Sequence, residues 1–431
     1  MLTRKVEEKL IKWKDDRTTR SLMIRGARQV GKTYVIEKFA RENYKHHITI
    51  NFVEKPTYKE IFKESLSVDD ILMQISFRVR DVELVPHETL IFLDEIQECP
   101  EARAALKFFS MDDRYDVIAS GSMLGIHHKS MPSYPVGYVD YIDMHSLDFE
   151  EFLWACGITE ENIQTLREHY ENREPLPDSM HEEYMKLFRK YIVIGGMPYV
   201  VQDFVDHNDF SKVFRIQNEI LSDYLDDIAK YATGAEKTKA RACFLSIPKH
   251  LAKDYKKFRY SLIEAKGTYR KFGGSLEWLA DAGIISFCYN LANLELPLEG
   301  NAKSDCFKVY MRDTGLLTAM LEEGSVEDIL DGNLGIYKGA IYENIVADIF
   351  TKSEKKLYYY EKDSKLEMDF IIRYNKQLTA VEVKSSEKNT SKSMTSIIQN
   401  HGVKHGIKLS SKNLSSNDTV DTLPLYMAMF I

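Results

Sequence analysis

Gly26-Ala27-Arg28-Gln29-Val30-Gly31-Lys32-Thr33 decides the reading of this chain. The stretch fits the phosphate-loop pattern G-x-x-x-x-G-K-[ST] at every fixed position. An apolar run, Ser21–Arg25, precedes it and an amphipathic run, Thr33–Asn43, follows, so the loop joins a strand to a helix. The glycines let the backbone curl until successive N–H groups face one point. The new helix begins there, and its N-terminal dipole favours negative charge. Lys32 supplies a cation to the β- and γ-phosphates, and the Thr33 hydroxyl reaches a magnesium ion. These residues point to bound ATP with Mg2+.

Leu90-Ile91-Phe92-Leu93-Asp94-Glu95 forms the second half of the expected site. A buried strand delivers two carboxylates at its C-terminal end, where ligands of open α/β sheets bind. Asp94 is placed to hold magnesium, mostly through water, and Glu95 to orient or deprotonate the attacking water. A third strand ends in Ala119-Ser120-Gly121-Ser122. Ser120 or Ser122 is placed to lie between the two motifs and sense the γ-phosphate, or the segment is a simple turn.

Around these motifs the first third alternates strand-like and helix-like runs, the pattern of a mostly parallel α/β sheet. The strands read as Ser21–Arg25, His47–Phe52, Thr89–Leu93, Tyr115–Ser120 and Val139–Met144, with a helix at Ala102–Ser110. From Phe149 to about Ala232 the periodicity is helical, with a proline-punctuated insert at Glu171–Asp178. From about Cys243 to Glu322 come short helices and then strand-like pieces, Ile284–Asn290 and Cys306–Tyr310. The last block, from about Leu334, reads helix, strand, strand, strand, helix, strand. The expected domains are 1–148, 149–235, 236–332 and 333–431. In the third, Phe258–Ile285 fits helix, turn, helix and wing strand. Thr268–Leu279 then turns Arg270 and Lys271 outward, for a DNA groove or for packing between domains. Lys253, Lys256, Lys257 and Arg259 form a basic cluster that would track phosphates or line a charged helix face.

With 431 residues and a net charge of −8, the chain as a whole is not a basic nucleic-acid binder, although one local face can still be basic. Its five cysteines are scattered without zinc or redox spacing, which suits a reduced, cytosolic protein. The opening residues read as an amphipathic charged helix rather than a signal peptide, and no apolar run is long enough to span a bilayer.

Near the end, Met368-Asp369-Phe370-Ile371-Ile372 is an apolar strand with one acid set into it, and Glu382-Val383-Lys384 closes the next strand. Strand alternation puts Glu382 and Lys384 on one face. Glu343 sits upstream in a helix-like run, Tyr342–Lys352. This resembles the Asp…Glu-x-Lys core of restriction-endonuclease-like proteins. There, two acids bind magnesium and the lysine activates water or stabilises developing phosphate charge. The resemblance implies that Asp369, Glu382 and Lys384 converge, with Glu343 nearby, and take a divalent metal. A salt bridge on a strand edge is the plainer alternative.

Several motifs together resemble the AAA-like ATPases that carry a C-terminal domain of unknown function. They are Gly26–Thr33, Leu93-Asp94-Glu95-Ile96-Gln97, Ser120-Gly121-Ser122, Ser146-Leu147-Asp148-Phe149-Glu150-Glu151-Phe152, Gly195-Gly196-Met197-Pro198-Tyr199 and Lys308-Val309-Tyr310-Met311-Arg312-Asp313-Thr314-Gly315-Leu316-Leu317. The resemblance covers nearly the whole chain. It implies an ATPase core, a winged-helix-like middle and a nuclease-like end, with ATP hydrolysis acting on DNA or a protein partner. An ATP-gated nuclease and a slow nucleotide-switched binding module are the rival functions. Such sites often borrow a neighbour's arginine, which implies self-association strengthened by ATP. The family usually has Gly-Arg before the last core strand, where this chain has Gly137-Tyr138. Arg114 is the substitute to consider, against an ordinary solvated loop arginine.

Overall fold

The computed structural model describes residues 2–16, 20–80, 83–122, 137–231, 235–253, 256–321, 324–333, 337–363, 366–385 and 392–431. Ala232, Glu322 and Leu334, where the sequence ends the helical stretch, ends the middle region and starts the last block, lie outside them. The chain divides into two compact units, one of residues 3–146 with 281–283, the other of residues 1–2, 147–280 and 284–431.

The unit of residues 3–146 is built on a five-stranded parallel sheet of order β2-β3-β4-β1-β5. Its strands are β1 (Ser21–Gly26), β2 (His46–Asn51), β3 (Thr89–Asp94), β4 (Asp116–Ser122) and β5 (Val139–Asp143). The interior strand β3 explains the architecture. Leu90 and Phe92 of β3 pack with Ile36 and Phe39 of α2 (Lys32–Asn43), while Ile91 and Leu93 pack with Ile71 and Ile75 of α3 (Val68–Arg78). A strand buried on both faces must be apolar throughout, and that requires helices on both sides. In front of β1, α1 (Val6–Asp15) buries Val6, Leu10 and Trp13 against the α2 face. The helix α4 (Pro100–Asp112) adds Ala102, Ala105, Leu106 and Phe109 to the α3 face.

The other unit opens with helices. Asp148 caps Phe149–Ala155 in a reciprocal capping box with Glu151. Five longer helices follow, Glu160–Asn172, Asp178–Ile194, Pro198–His207, Phe210–Tyr231 and Ala235–Leu251. The last of these runs unbroken across Cys243, from about which the sequence reads as short helices, and Pro248 lies inside it near its C-terminus.

The helix Tyr269–Asp281 then leads into an antiparallel hairpin of β6 (Ile285–Leu291) and β7 (Ala302–Met311). After the helix Lys338–Lys352, β8 (Leu357–Lys362) pairs parallel with β6, and β9 (Leu366–Met368) pairs with β8. The hairpin and the first C-terminal strands therefore share one sheet, β7-β6-β8-β9, across the boundary expected at 332/333. A second sheet has the order β10-β11-β12-β14-β13. It comprises β10 (Phe370–Tyr374), β11 (Gln377–Val383), β12 (His405–Ser410), β13 (Ser415–Ser416) and β14 (Val420–Pro424), with the helix Lys392–Asn400 between β11 and β12.

Three of the motifs quoted for the family knit this unit together. The Gly196 N–H donates to Asp313 Oδ2 at 2.9 Å, and its carbonyl accepts from the Leu147 N–H at 2.7 Å. A Cβ on Gly196 would stand 2.0 Å from the Leu147 carbonyl oxygen, so only glycine fits there. That oxygen also accepts from Tyr191 Oη at 2.7 Å and Lys352 Nζ at 3.0 Å. Among the described residues, no helix is long and apolar enough to cross a membrane.

Candidate nucleotide-binding site

The loop after β1 is shaped by close approach. A Cβ on Gly26 would sit 2.2 Å from the Met144 carbonyl oxygen, and Gly31 takes φ +91°, where other residues are strained. The N-cap of α2 is Gly31, which has no side chain to cap the helix's first amides. Arg4 braces the loop from outside, donating from Nη1 to the Val30 carbonyl at 3.1 Å and from Nη2 to the His145 carbonyl at 2.7 Å. The buried Lys32 ammonium donates to the Gly26 and Ala27 carbonyls at 3.1 and 2.8 Å. Burial pulls its pKa down to about 8, against the opposing pull of Glu95 and Asp94.

Asp94 sits at the end of β3 as the hub of the acidic side. Its Oδ2 accepts from Thr33 Oγ1 at 3.0 Å and Asn51 Nδ2 at 2.9 Å, and its Oδ1 from Ser120 Oγ. Burial raises the Asp94 pKa, while the Ser120 hydrogen bond works the other way. The strand carrying Asp94 is not next to β1, because β4 lies between them, and this places Ser120 within the network. Ser122 pairs in register with Gly26, and its buried hydroxyl has no hydrogen-bond partner among the described residues.

Glu95 follows in a left-handed backbone conformation (φ +56°) and accepts from Gln97 Nε2. Three residues of this site went unread in the sequence: Asn51, Gln97 and Arg4. Gln97 lay in the quoted motif without a role. Asn51 had one signal, its position at the C-terminal end of the strand neighbouring Asp94.

Arg114 is held by Asp69 and Asp112, both at 2.6 Å, so in this structure it is an ion-paired arginine at the end of α4. Tyr138 lies under Lys107, whose ammonium is 5.2 Å from the ring centre.

The C-terminal acids are engaged by lysines and backbone. Glu343, buried on the helix Lys338–Lys352, accepts from Lys308 Nζ at 3.0 Å and is also bound by Lys256 Nζ and Tyr310 Oη. Lys308 reaches Glu367 as well, at 2.9 Å. The two ammonium groups hold the Glu343 carboxyl down at about 2, despite burial pushing the other way. Asp369, between β9 and β10, accepts the Val383 N–H at 2.8 Å, and its pKa is pushed up to about 7 by burial and by Glu343. Glu382 pairs with Lys384 at 2.6 Å, and its other oxygen is buried without a partner among the described residues.

Among the described residues, no group of three or more His, Cys, Asp or Glu side chains is placed to hold a metal ion. The cations near Glu343 are lysines, and Lys256 leaves the expected basic cluster to become one of them. On the helix Tyr269–Asp281, Lys271 is neutralised by Glu264 at 2.6 Å. Removing the Glu343 charge would leave Lys256 and Lys308 buried against too little negative charge. Glu343→Gln is therefore expected to lower stability by about 3–5 kcal/mol, read as the shift in a urea or thermal unfolding midpoint.

Residues 18–153 match the family described as an AAA domain, and this part of the chain is an AAA domain with a P-loop ATPase fold. Residues 185–327 and 338–427 match two families described as domains of unknown function, DUF8612 and DUF4143. No curated protein matches. Solved structures similar to the chain include a Walker-type ATPase of Pyrococcus abyssi, 14% identical with TM-score 0.43, covering 74% of this chain and 96% of that one. The ORC1 protein of Aeropyrum pernix in complex with DNA is 13% identical with TM-score 0.33, covering 77% of this chain and 92% of that one. AMPPCP-bound DnaA from Aquifex aeolicus is 10% identical with TM-score 0.32, covering 65% of this chain and 90% of that one.

Proposed function

We propose that this AAA-domain chain is a magnesium-dependent ATPase, binding ATP at Gly26–Thr33 and hydrolysing it with Glu95 as the catalytic carboxylate. One observation carries the reading: Thr33, Asn51 and Ser120 all converge on Asp94 beside the curled loop that holds Lys32. The groups present suit Mg-ATP. Asp94 and Thr33 offer the hard oxygen donors that Mg2+ takes, and the ion would neutralise phosphate charge. Lys32 would exchange two backbone carbonyls for phosphate oxygens. The orphaned Ser122 hydroxyl would gain an acceptor, and Ser120 would lie between the phosphate and Asp94. Glu95, with Gln97 fixing one oxygen, would orient the attacking water. The remainder of the cycle acts, in this reading, through residues 147–431 on DNA or a protein partner. ATP-strengthened self-association would supply an arginine that Tyr138 and the paired Arg114 do not.

Lys32 also sets a pH dependence. Its free-state pKa of about 8 lies below the ordinary 10.5, and a phosphate beside it favours the charged form. ATP affinity is thus expected to fall as pH rises above about 8, with each binding event near pH 9 taking up most of one proton. Titration calorimetry in buffers of different ionisation heat reads that uptake. Equal affinity and no proton uptake at about pH 7 and about pH 9 would remove Lys32 from the phosphate contact.

The nuclease rival loses support from the geometry, since Glu343 is engaged by two lysines. Steady-state phosphate release, with and without magnesium, tests the ATPase reading.

A further inference from the structure

The helix α3 turns apolar side chains in two opposite directions. Val68, Ile71, Leu72 and Ile75 recur at i, i+3, i+4 and i+7 and are buried against the sheet. Met73 and Phe77 stand one turn apart on the side facing away, because each residue rotates the helix by about 100°. They are 62% and 85% exposed, so Phe77 keeps little contact with its own domain. The neighbouring helix α4 carries a second exposed pair, Phe108 and Met111. Both helices pack on the same core, and the Asp69–Arg114 ion pair ties the start of α3 to the end of α4. A helix with only solvent outside it carries polar residues at such positions. Large apolar side chains grouped on one exposed face mark a surface that another molecule covers.

Charge says which molecule. Asp70 lies on the outward stripe, three residues before Met73, and among the described residues it pairs with no cation. Arg78 and Arg80 stand at the far end. Arg78 donates from Nε to Gln74 Oε1 at 3.0 Å, and neither arginine pairs with a carboxylate among the described residues. The stripe therefore runs acid, methionine, phenylalanine, base, and it is complementary to itself turned end for end. A two-fold axis level with Ile75 sets Met73 of each copy against Phe77 of the other, and brings Asp70 level with Arg78–Arg80. A parallel pairing would put Asp70 on Asp70 and Arg78 on Arg78, which opposes binding. Methionine suits such a seam, because its unbranched chain adapts to a ring and its sulfur is attracted to it.

We propose that the α3 face binds a second copy of this chain, the two helices lying antiparallel with Met73 on Phe77 and Asp70 on Arg78 and Arg80. The contact is separate from ATP-strengthened association. The sheet stands between α3 and α2, whose start closes the phosphate loop, so the pairing requires no nucleotide.

Sedimentation equilibrium of the full chain, over a range of micromolar concentrations and without nucleotide, tests it. Wild type is expected to approach twice the chain mass. Phe77→Glu is expected to raise the dimer dissociation constant about tenfold or more, since a central aromatic anchor carries much of such a contact. Phe77 is so exposed in the single chain that this variant leaves the domain core untouched. Asp70→Arg should weaken the dimer about tenfold by facing like charges, and so should Arg78→Asp combined with Arg80→Asp. An equimolar mixture of those two charge-reversed chains should recover wild-type affinity, because each then meets its opposite. Each variant is checked by circular dichroism and by binding of a fluorescent ATP analogue, both expected to match wild type. A failed ATPase assay would leave these results standing. A wild type that stays monomeric without nucleotide, or that associates only when ATP is added, would overturn the proposal. So would a folded Phe77→Glu with wild-type dimer affinity, or a mixture that binds no more tightly than its separate variants.

Discussion

Lys32→Ala is expected to abolish tight ATP binding, lowering affinity about a hundredfold or more. A hydrogen bond to a charged group contributes about 1.5–3 kcal/mol, and Lys32 would make such contacts to two phosphates. The surroundings make the loss specific. The ammonium is buried between the Gly26 and Ala27 carbonyls, so no solvent cation replaces it at equal distance. The loop itself should persist, because Gly26 is packed against Met144 and Arg4 holds the Val30 carbonyl. Titration with a fluorescent ATP analogue gives the answer, and unchanged affinity in a folded variant would remove the site from Gly26–Thr33.

Glu95→Gln is expected to keep nucleotide binding and slow hydrolysis by about 10²–10⁴-fold, the usual contribution of a positioned general base. The separation of roles follows from the geometry. Asp94 is bonded to Thr33, Asn51 and Ser120, whereas Glu95 points its bonded oxygen at Gln97 alone among these hydrogen bonds. The amide variant therefore removes a base without touching the metal-side network. Steady-state phosphate release beside equilibrium ATP binding separates the two effects. Equal loss of both would make Glu95 a binding residue instead.

The parallel sheet of the first unit was legible because β3 is apolar at consecutive positions, and such a strand needs cover on both faces. The loop was legible because its glycines and Lys32 lie within eight consecutive residues. Asn51 was not, because its partner Asp94 lies 43 residues on and only the β2–β3 register brings them side by side. Arg4 was hidden for the same reason, since it reaches carbonyls 26 and 141 residues away. The C-terminal acids show the limit most clearly. Asp369 and Glu382-Val383-Lys384 carry a readable pattern, yet the charges that meet Glu343 come from Lys256 and Lys308, 87 and 35 residues upstream. No local pattern encodes which lysine will turn inward. The long helix Ala235–Leu251 runs through Cys243, where the sequence suggests that short helices begin, and the fold accommodates Pro248 near the helix end.

The central claim is that this chain turns over ATP at the Lys32–Asp94–Glu95 site. Its most direct measurement is phosphate release from ATP by the purified full chain, in magnesium and again in excess chelator. The account predicts steady release in magnesium that stops when the ion is removed. Release that is absent in magnesium, or that continues undiminished without it, would contradict the account.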